Sequence, residues 1–187
     1  MNVLEQAVVA AARLLDEARI PYMVIGGLAN LVWGVPRTTL DVDITVWVAD
    51  GDLAALVDRL RPVFRCLPSD PVAFARETRV LPVETAAGTR VEFILGQLPF
   101  EERAIRRAAV RSVGGADVRF CTAEDLVAHK IISPRTRDRE DVKGILRVQR
   151  DRLDRAYLDK LVRDLADGLE QPEIGAFYQE CWKGTAG

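Results

Sequence analysis

Residues Leu40 to Val48 alternate between polar and apolar side chains, and no other feature constrains the fold of this chain as strongly. Three polar residues alternate with three apolar ones along this run: Asp41, Asp43 and Thr45 with Val42, Ile44 and Val46. Successive side chains of a strand point to opposite faces. The run therefore predicts a strand with one apolar and one polar face.

Helical and strand patterns on both sides of this run predict an α/β (α+β) fold with a small mixed sheet. Apolar residues at helical spacing predict a helix over residues 3–19 that ends at Pro21. The β-prone run Tyr22 to Ile25 predicts a strand that breaks at Gly26-Gly27. Further helices and strands are predicted over residues 28–33 and 52–60, over 78–83 and 90–95, and in a hairpin of 109–113 and 117–121.

The composition changes from strand-rich to all-helical around residue 122. Thr122 is followed three residues later by Asp125, which resembles a helix-capping box. Helices are predicted from there to about residue 133, and over 138–149, 153–166 and 171–181. We therefore predict an α/β core over residues 1–121 and a helical part over residues 122–187.

The composition of the chain limits which classes of protein and which cellular compartment we expect. The 187 residues fit one domain, or one catalytic domain with a helical annex. The formal net charge of −2 gives no global positive field for nucleic acid. Three scattered cysteines and one histidine form neither a zinc-site spacing nor a disulfide framework. We expect a cytoplasmic protein with no signal peptide and no membrane contact.

The two aspartates of the alternating run are candidate metal ligands. Because residues i and i+2 of a strand face the same side, Asp41 and Asp43 should present their carboxylates together. Such carboxylates repel each other without a cation, and Mg²⁺ prefers these ligands together with substrate phosphates. Glu92, in the predicted strand 90–95, is a third candidate, and three carboxylates fit a site for two metal ions. The alternative is a half-exposed strand with a solvated polar face.

A phosphatase is a second chemical interpretation of the same residues. The run Asp41 to Thr45 matches the nucleophile motif of haloacid-dehalogenase-type phosphatases, in which the first aspartate attacks phosphorus. That architecture places the nucleophile beyond the carboxyl end of a strand. Here Arg37 to Leu40 precede the acids and the apolar run follows them. This order argues against the phosphatase.

Gly26-Gly27 stands where a predicted strand turns into a helix, about fifteen residues before the acidic pair. Glycine there lets the backbone approach a ligand closely and leaves helix N-terminal N–H groups facing an anion. A Gly-Gly pair by itself is more often a turn. Its position before the acids makes it a candidate phosphate-binding loop.

These residues carry a family resemblance. Val24–Gly27 and Trp33–Ile44 together resemble the polymerase-β-type nucleotidyltransferase superfamily, with its small-residue loop, short helix and strand opening with two acids. The Arg-x-Thr-x-Asp-x-Asp version found here resembles the AbiEii-type toxin nucleotidyltransferases and the antibiotic-modifying ones. Residues 125–130 and 137–142 resemble the Lys…Lys/Arg-Asp-x-x-Asp motif of the AbiEii type. The resemblance covers about residues 20–148.

The resemblance implies a minimal nucleotidyltransferase fold whose C-terminal helical part completes the nucleotide cleft. It implies Mg²⁺-dependent transfer of a nucleoside monophosphate from a nucleoside triphosphate (NTP) to an acceptor hydroxyl. Asp41, Asp43 and Glu92 would hold two Mg²⁺ ions, and Glu92 would also be the base, with Glu84 as its fallback. The candidate nucleotide-binding residues are Gly26, Gly27, Arg37, Thr39, Lys130, Asp138 and Asp141. Gly27 departs from the many members that have serine there.

The implied acceptor and partner differ between the two groups of relatives. The toxin-like interpretation predicts tRNA, or less readily a protein side chain, as acceptor, and a cognate antitoxin as partner. The resemblance to antibiotic-modifying nucleotidyltransferases predicts an antibiotic as acceptor. A non-catalytic nucleotide-binding member of the same fold is a further alternative.

Several of these polar residues also have structural interpretations. Arg37 would pair with an acid near the metal strand instead of contacting phosphate, and Lys130 would be a solvated helix residue. Asp138 and Asp141 would be helix N-terminal acids favoured by the helix dipole. One basic cluster is either a solvated face or a surface that tracks RNA phosphates: Arg103, Arg106, Arg107 and Arg111.

Overall fold

The structure is a computed structural model that describes residues Met1–Gly184. Seven strands form one mixed sheet: β1 (Tyr22–Val24), β2 (Asp41–Val46), β3 (Arg65–Cys66), β4 (Val80–Glu84), β5 (Arg90–Leu95), β6 (Ala109–Val113) and β7 (Ala116–Phe120). The α-helices over this range are α1 (Val3–Glu17), α2 (Gly26–Trp33), α3 (Leu53–Leu60), α4 (Pro71–Thr78), α5 (Pro99–Arg107), α6 (Ala123–Ile131), α7 (Thr136–Gln149), α8 (Arg155–Gly168) and α9 (Pro172–Gly184).

The strand order is β3-β4-β5-β2-β1-β7-β6, which places β2 at the centre of the sheet. Strand β2 pairs parallel with β5 and antiparallel with β1, so the sheet is mixed. The apolar positions of the central strands are fully buried: Val42, Ile44, Val46, Leu81, Val83, Val91 and Phe93. The alternation in the sequence thus produces one buried sheet face, and the predicted mixed sheet flanked by helices is confirmed.

Side chains satisfy the first N–H groups of several helices, which fixes where those helices begin. Asn2 and Glu5 form a capping box at α1. Thr122 caps α6 by accepting a hydrogen bond from the Asp125 N–H, as its sequence pattern predicts. Gly114 and Gly115 both have positive φ and join β6 to β7, so the predicted hairpin is confirmed.

Two helices and one short strand were not predicted from the sequence. Asp70 caps α4, whose first residue is Pro71, and Glu101 accepts hydrogen bonds from two N–H groups at the start of α5. Both helices have at most nine residues, so packing stabilises them more than intrinsic propensity does. The sequence contains the residues that cap these two helices, but their runs of periodic apolar residues are too short to predict a helix.

Contacts within the chain group it into two compact units. The first comprises residues 1–28 and 38–121 and contains the whole sheet with α1, α3, α4 and α5. The second comprises residues 29–37 and the chain from Thr122 onward, with α6 to α9. Within residues 1–184, every helix is too short or too polar to cross a membrane.

Candidate active site

The acidic pair lies at the start of the central strand. Strand β2 begins at Asp41, and the side chains of Asp41 and Asp43 are half-buried on the face opposite the buried Val42 and Ile44. The two side chains therefore share one face of the sheet, from Cα atoms about 6.6 Å apart along the strand. Because the acids open the strand instead of following it, the arrangement differs from that of a phosphatase nucleophile.

Glu92 lies beside this pair on the neighbouring strand. In the parallel pairing of β2 with β5, Asp43 is opposite Glu92, so their side chains point to the same face from backbones about 4.8 Å apart. Glu84 lies one strand farther away, and its carboxylate accepts a hydrogen bond of 2.6 Å from Arg65. The structure thus brings Glu92, and not the fallback Glu84, next to the acidic pair.

Arg90 belongs to the same face and was not recognised from the sequence. It lies opposite Asp41 in the register of β2 and β5. Its guanidinium Nε is 3.1 Å from Oε1 of Glu92. The alternation along β5, which places residues 90 and 92 on one side, was the available signal. The acidic face therefore includes a cation, Arg90.

The glycine pair packs directly against the acids. Gly26 has a φ of +63°, a conformation that favours glycine, and the Ile25 N–H donates to the Asp43 carbonyl oxygen at 2.9 Å. A Cβ at Gly26 would overlap the Asp43 carboxylate, and one at Gly27 would overlap the Thr39 side chain. Both positions require glycine because Asp43 and Thr39 occupy the space that a side chain would need.

Thr39 orients the first aspartate. Its hydroxyl lies 3.1 Å from Oδ1 of Asp41, within hydrogen-bonding distance. The same side chain is the one that a Cβ at Gly27 would overlap. Thr39 thus connects the glycine pair to Asp41. Its predicted contact with the nucleotide stays a prediction.

The residues present fit a divalent cation held by Asp41 and Asp43. Mg²⁺ in phosphate chemistry is commonly bound by one or two carboxylates, with phosphate oxygens completing its shell. Among residues 1–184, no three side chains of the types His, Cys, Asp and Glu are already gathered as a metal site. The third acid, Glu92, has one carboxylate oxygen paired with Arg90.

We expect Gly26→Ala to lower the free energy of unfolding by about 1–3 kcal/mol, because alanine strains the left-handed backbone and its methyl overlaps Asp43. Gly88→Ala is the matched control. Gly88 has a φ of +79°, but no heavy atom of the described chain would lie within 4 Å of an added Cβ. Urea unfolding should show the larger loss for Gly26→Ala. Equal losses would contradict the contact with Asp43.

Four of the other predicted site residues form one charged network in the second unit. Lys130 Nζ lies 3.0 Å from Oδ1 of Asp138 and 2.6 Å from Oδ2 of Asp141. Arg37 binds Asp141 through two nitrogens, with Nε–Oδ1 and Nη2–Oδ2 distances of 2.8 Å. The side chain of Lys130 is only 5% exposed, so the interpretation of Lys130 as a solvated helix residue is wrong. Arg37 does pair with an acid, and that acid is Asp141 of α7.

The two aspartates of this network stay ionised although they are buried. Burial alone would raise the pKa of both carboxyl groups. For Asp138, hydrogen bonds from Ser133, Lys130 and Arg135 outweigh burial and lower the pKa. For Asp141, Arg37 and Lys130 have the same effect. Two of the cations that hold these aspartates reach solvent: the Arg37 side chain is 24% exposed and the Arg135 side chain is 78% exposed.

A cavity of about 810 Å³ lies within the second unit. Its lining includes Arg37 and Asp141, together with Lys143, Arg147 and Glu180. This volume is in the range of small-molecule sites. Charges of both signs line the cavity, which suits a polar ligand better than an apolar one.

The basic cluster lies on exposed parts of the first unit. All four side chains are exposed, three on α5 and one on β6: Arg103, Arg106, Arg107 and Arg111. Arg106 pairs with Glu102 at 2.8 Å. A solvated face agrees with this placement, and contact with RNA stays a prediction.

Comparisons with known proteins bear on the family and the fold. Residues 3–177 match the family described as "Nucleotidyltransferase of unknown function (DUF6036)". No curated protein matches the sequence.

Among solved structures, an antigenic nucleotidyltransferase-like protein from Paracoccidioides brasiliensis is similar at 19% identity and a TM-score of 0.57, covering 94% of this chain and 92% of that one. The lincosamide antibiotic adenylyltransferase LnuA is similar at 11% identity and a TM-score of 0.54, covering 78% and 98%. The antibiotic-resistance factor ANT(2'')-Ia is similar at 18% identity and a TM-score of 0.52, covering 90% and 95%. The predicted nucleotidyltransferase fold is confirmed.

Proposed function

We propose that this chain, which belongs to the DUF6036 family of nucleotidyltransferases, moves a nucleoside monophosphate from an NTP to an acceptor hydroxyl. The observation that carries this proposal is the placement of Asp41, Asp43 and Glu92 on one sheet face, with Gly26 packed against Asp43. In the reaction, the acceptor oxygen bonds to the α-phosphorus. The bond from that phosphorus to the bridging oxygen breaks, and its electron pair leaves with pyrophosphate.

Asp41 and Asp43 would hold Mg²⁺, and Glu92 would join them as a third ligand of a two-ion site. Bound Mg²⁺ would neutralise charge that develops on the phosphate oxygens. Thr39 keeps the Asp41 carboxylate oriented through its hydroxyl. Glu92 is also the candidate base that accepts the proton of the acceptor hydroxyl.

Gly26 and Gly27 would bind the triphosphate. They begin α2, and the first N–H groups of a helix lack partners within the helix and favour an anion. Because neither residue has a side chain, the phosphates could approach these N–H groups closely. Arg37, in the second unit, is a separate candidate for a phosphate contact. Asp141 pairs with Arg37, Lys130 pairs with Asp141, and Asp138 pairs with Lys130.

RNA, and tRNA in particular, is the acceptor that we propose first. The Arg-x-Thr-x-Asp-x-Asp segment resembles that of the AbiEii-type toxins, which implies a cognate antitoxin as partner. The exposed arginines of α5 and β6 support RNA, because arginine binds phosphate oxygens. On this proposal, an RNA hydroxyl attacks the α-phosphorus and the nucleotide remains on the RNA.

A small polar molecule is the second candidate acceptor. The observation that favours it is the cavity of about 810 Å³ in the second unit, whose volume suits a drug-sized ligand. LnuA and ANT(2'')-Ia, which share the fold, are antibiotic adenylyltransferase and antibiotic-resistance proteins. An antibiotic hydroxyl would then take the place of the RNA hydroxyl.

The test is incubation with each NTP labelled at the α-phosphate, once with total cellular RNA and once with a panel of aminoglycosides and lincosamides. Label in RNA supports the first acceptor, and label in a small molecule supports the second. No labelled product with any NTP and either acceptor would contradict transfer to these two classes. Calorimetry would then measure NTP binding. Binding of NTP without transfer would indicate a non-catalytic nucleotide-binding protein.

A further inference from the structure

We infer that Arg90 is a positioning residue: it pairs with the Glu92 carboxylate until a metal ion takes its place as the partner of Glu92. This inference rests on the proposed function. Arg90 and Glu92 are two residues apart on β5 and therefore share a face of the sheet. In the register with β2 they lie opposite Asp41 and Asp43. The four side chains thus form a two-by-two arrangement of three carboxylates and one guanidinium.

The ion pair between Arg90 and Glu92 keeps the third carboxylate away from a metal-binding arrangement. The Nε–Oε1 distance is 3.1 Å. Within residues 1–184, the acids are not gathered as a metal site, although the backbone register places Asp43 and Glu92 side by side. Arg90 therefore places a positive charge among the three carboxylates, which reduces their mutual repulsion.

A divalent ion at the acidic pair would compete with Arg90 for the Glu92 carboxylate. When a metal ion binds at Asp41 and Asp43, its charge repels the guanidinium and attracts Glu92. Glu92 then moves from Arg90 to the metal. Because 56% of the Arg90 side chain is exposed, the guanidinium can move into solvent at little cost. Glu92 would therefore join the site only after a metal ion has bound to Asp41 and Asp43.

The competition predicts that metal binds more tightly without the arginine. Arg90→Gln removes a positive charge and releases Glu92, so the dissociation constant for Mn²⁺ should fall roughly three- to tenfold at fixed neutral pH. Arg90→Lys keeps the charge and should bind Mn²⁺ nearly as the wild type does. Electron paramagnetic resonance of the unbound Mn²⁺ measures this in full-length protein without nucleotide.

Arg65→Gln is the matched control. Arg65 pairs with Glu84 at 2.6 Å on strands β3 and β4, and its side chain is 67% exposed. The two acids have nearly equal exposure, 31% for Glu84 and 30% for Glu92. Since Glu84 lies two strands from β2, Arg65→Gln should leave Mn²⁺ binding unchanged.

The outcomes separate this inference from the proposed function. Tighter Mn²⁺ binding by Arg90→Gln alone supports the exchange. Unchanged or weaker binding by Arg90→Gln, while the wild type binds Mn²⁺ and Asp41→Asn with Asp43→Asn does not, overturns the role of Arg90 and leaves the proposed function intact. A wild type that binds no Mn²⁺, even with NTP, overturns both. Thermal unfolding of each variant verifies that the fold is retained.

Discussion

Replacing Asp43 with asparagine is expected to lower the rate of nucleotidyl transfer by about a thousandfold. Asparagine keeps the size of the side chain but removes the negative charge that would hold Mg²⁺ beside the phosphates. Losing one group that stabilises transition-state charge typically costs 10²–10³ in rate, and a metal ligand lies at the upper end. The measurement is pyrophosphate release with saturating NTP and acceptor.

Asp117→Asn is the control for this change. Asp117 is also a strand residue with an exposed side chain, but it lies on β7, two strands away from β2. It should transfer nucleotide at the wild-type rate. A wild-type rate for Asp43→Asn would contradict the assignment of the acidic pair. Thermal unfolding should show both variants folded, because Asp43 is only half-buried.

Replacing Lys130 with methionine is expected to destabilise the second unit by about 3–5 kcal/mol. The ammonium group of Lys130 lies between Asp138 and Asp141, and all three side chains are only 5% exposed. Methionine preserves the length of the side chain but leaves two buried carboxylates with less compensating charge. Urea unfolding measures the loss. Lys160→Met is the control, because Lys160 pairs with Asp164 on the surface, and such pairs contribute roughly 0–1 kcal/mol.

The same network gives stability a defined dependence on pH. Asp138 and Asp141 have pKa values in the folded state below the unfolded value of 3.8, so both bind protons less readily when folded. Their contribution is therefore fully present above the unfolded pKa and is lost as the pH falls through the folded pKa. Lys130→Met should reduce this acid dependence. Equal stability of the variant and the wild type at neutral pH would contradict the buried network.

The local pattern of the sequence predicts the acidic strand and its polar face. A period of two fixes which side chains share a face, so Asp41 and Asp43 can be paired without knowing any neighbouring strand. The turn at Gly26 is predictable for a similar reason, since a short apolar strand must end where glycines follow. These inferences depend on residues close in sequence.

Strand pairing is what the sequence does not reveal. Glu92 lies beside Asp43 because β5 pairs with β2, and the residues that separate these strands include two helices and two other strands. The alternation of polar and apolar residues predicts each strand, but it does not predict which strands pair with each other. Alternation along the strand places Arg90 on the same side as Glu92, but the sequence does not show that this pair lies opposite Asp41 and Asp43.

Helix α6 shows why the sequence left a solvated Lys130 open as an alternative to a nucleotide-binding one. Polar residues of an amphipathic helix normally face solvent. In α6, however, Glu124, Asp125 and Lys130 are all buried, and each has a hydrogen-bond partner within the second unit. Tyr157 donates to Asp125, and Asp138 accepts from Lys130. These residues are buried because other helices pack around α6, and the sequence pattern of α6 alone does not predict that packing.

The most direct test compares NTP labelled at the α-phosphate with NTP labelled at the γ-phosphate. With Mg²⁺ and an acceptor, the wild type should place the α-label on the acceptor and release the γ-label as pyrophosphate. The variant with Asp41→Asn and Asp43→Asn should do neither. Release of the γ-label as inorganic phosphate, or transfer of the α-label that survives in the double variant, would contradict nucleotidyl transfer by the acidic strand.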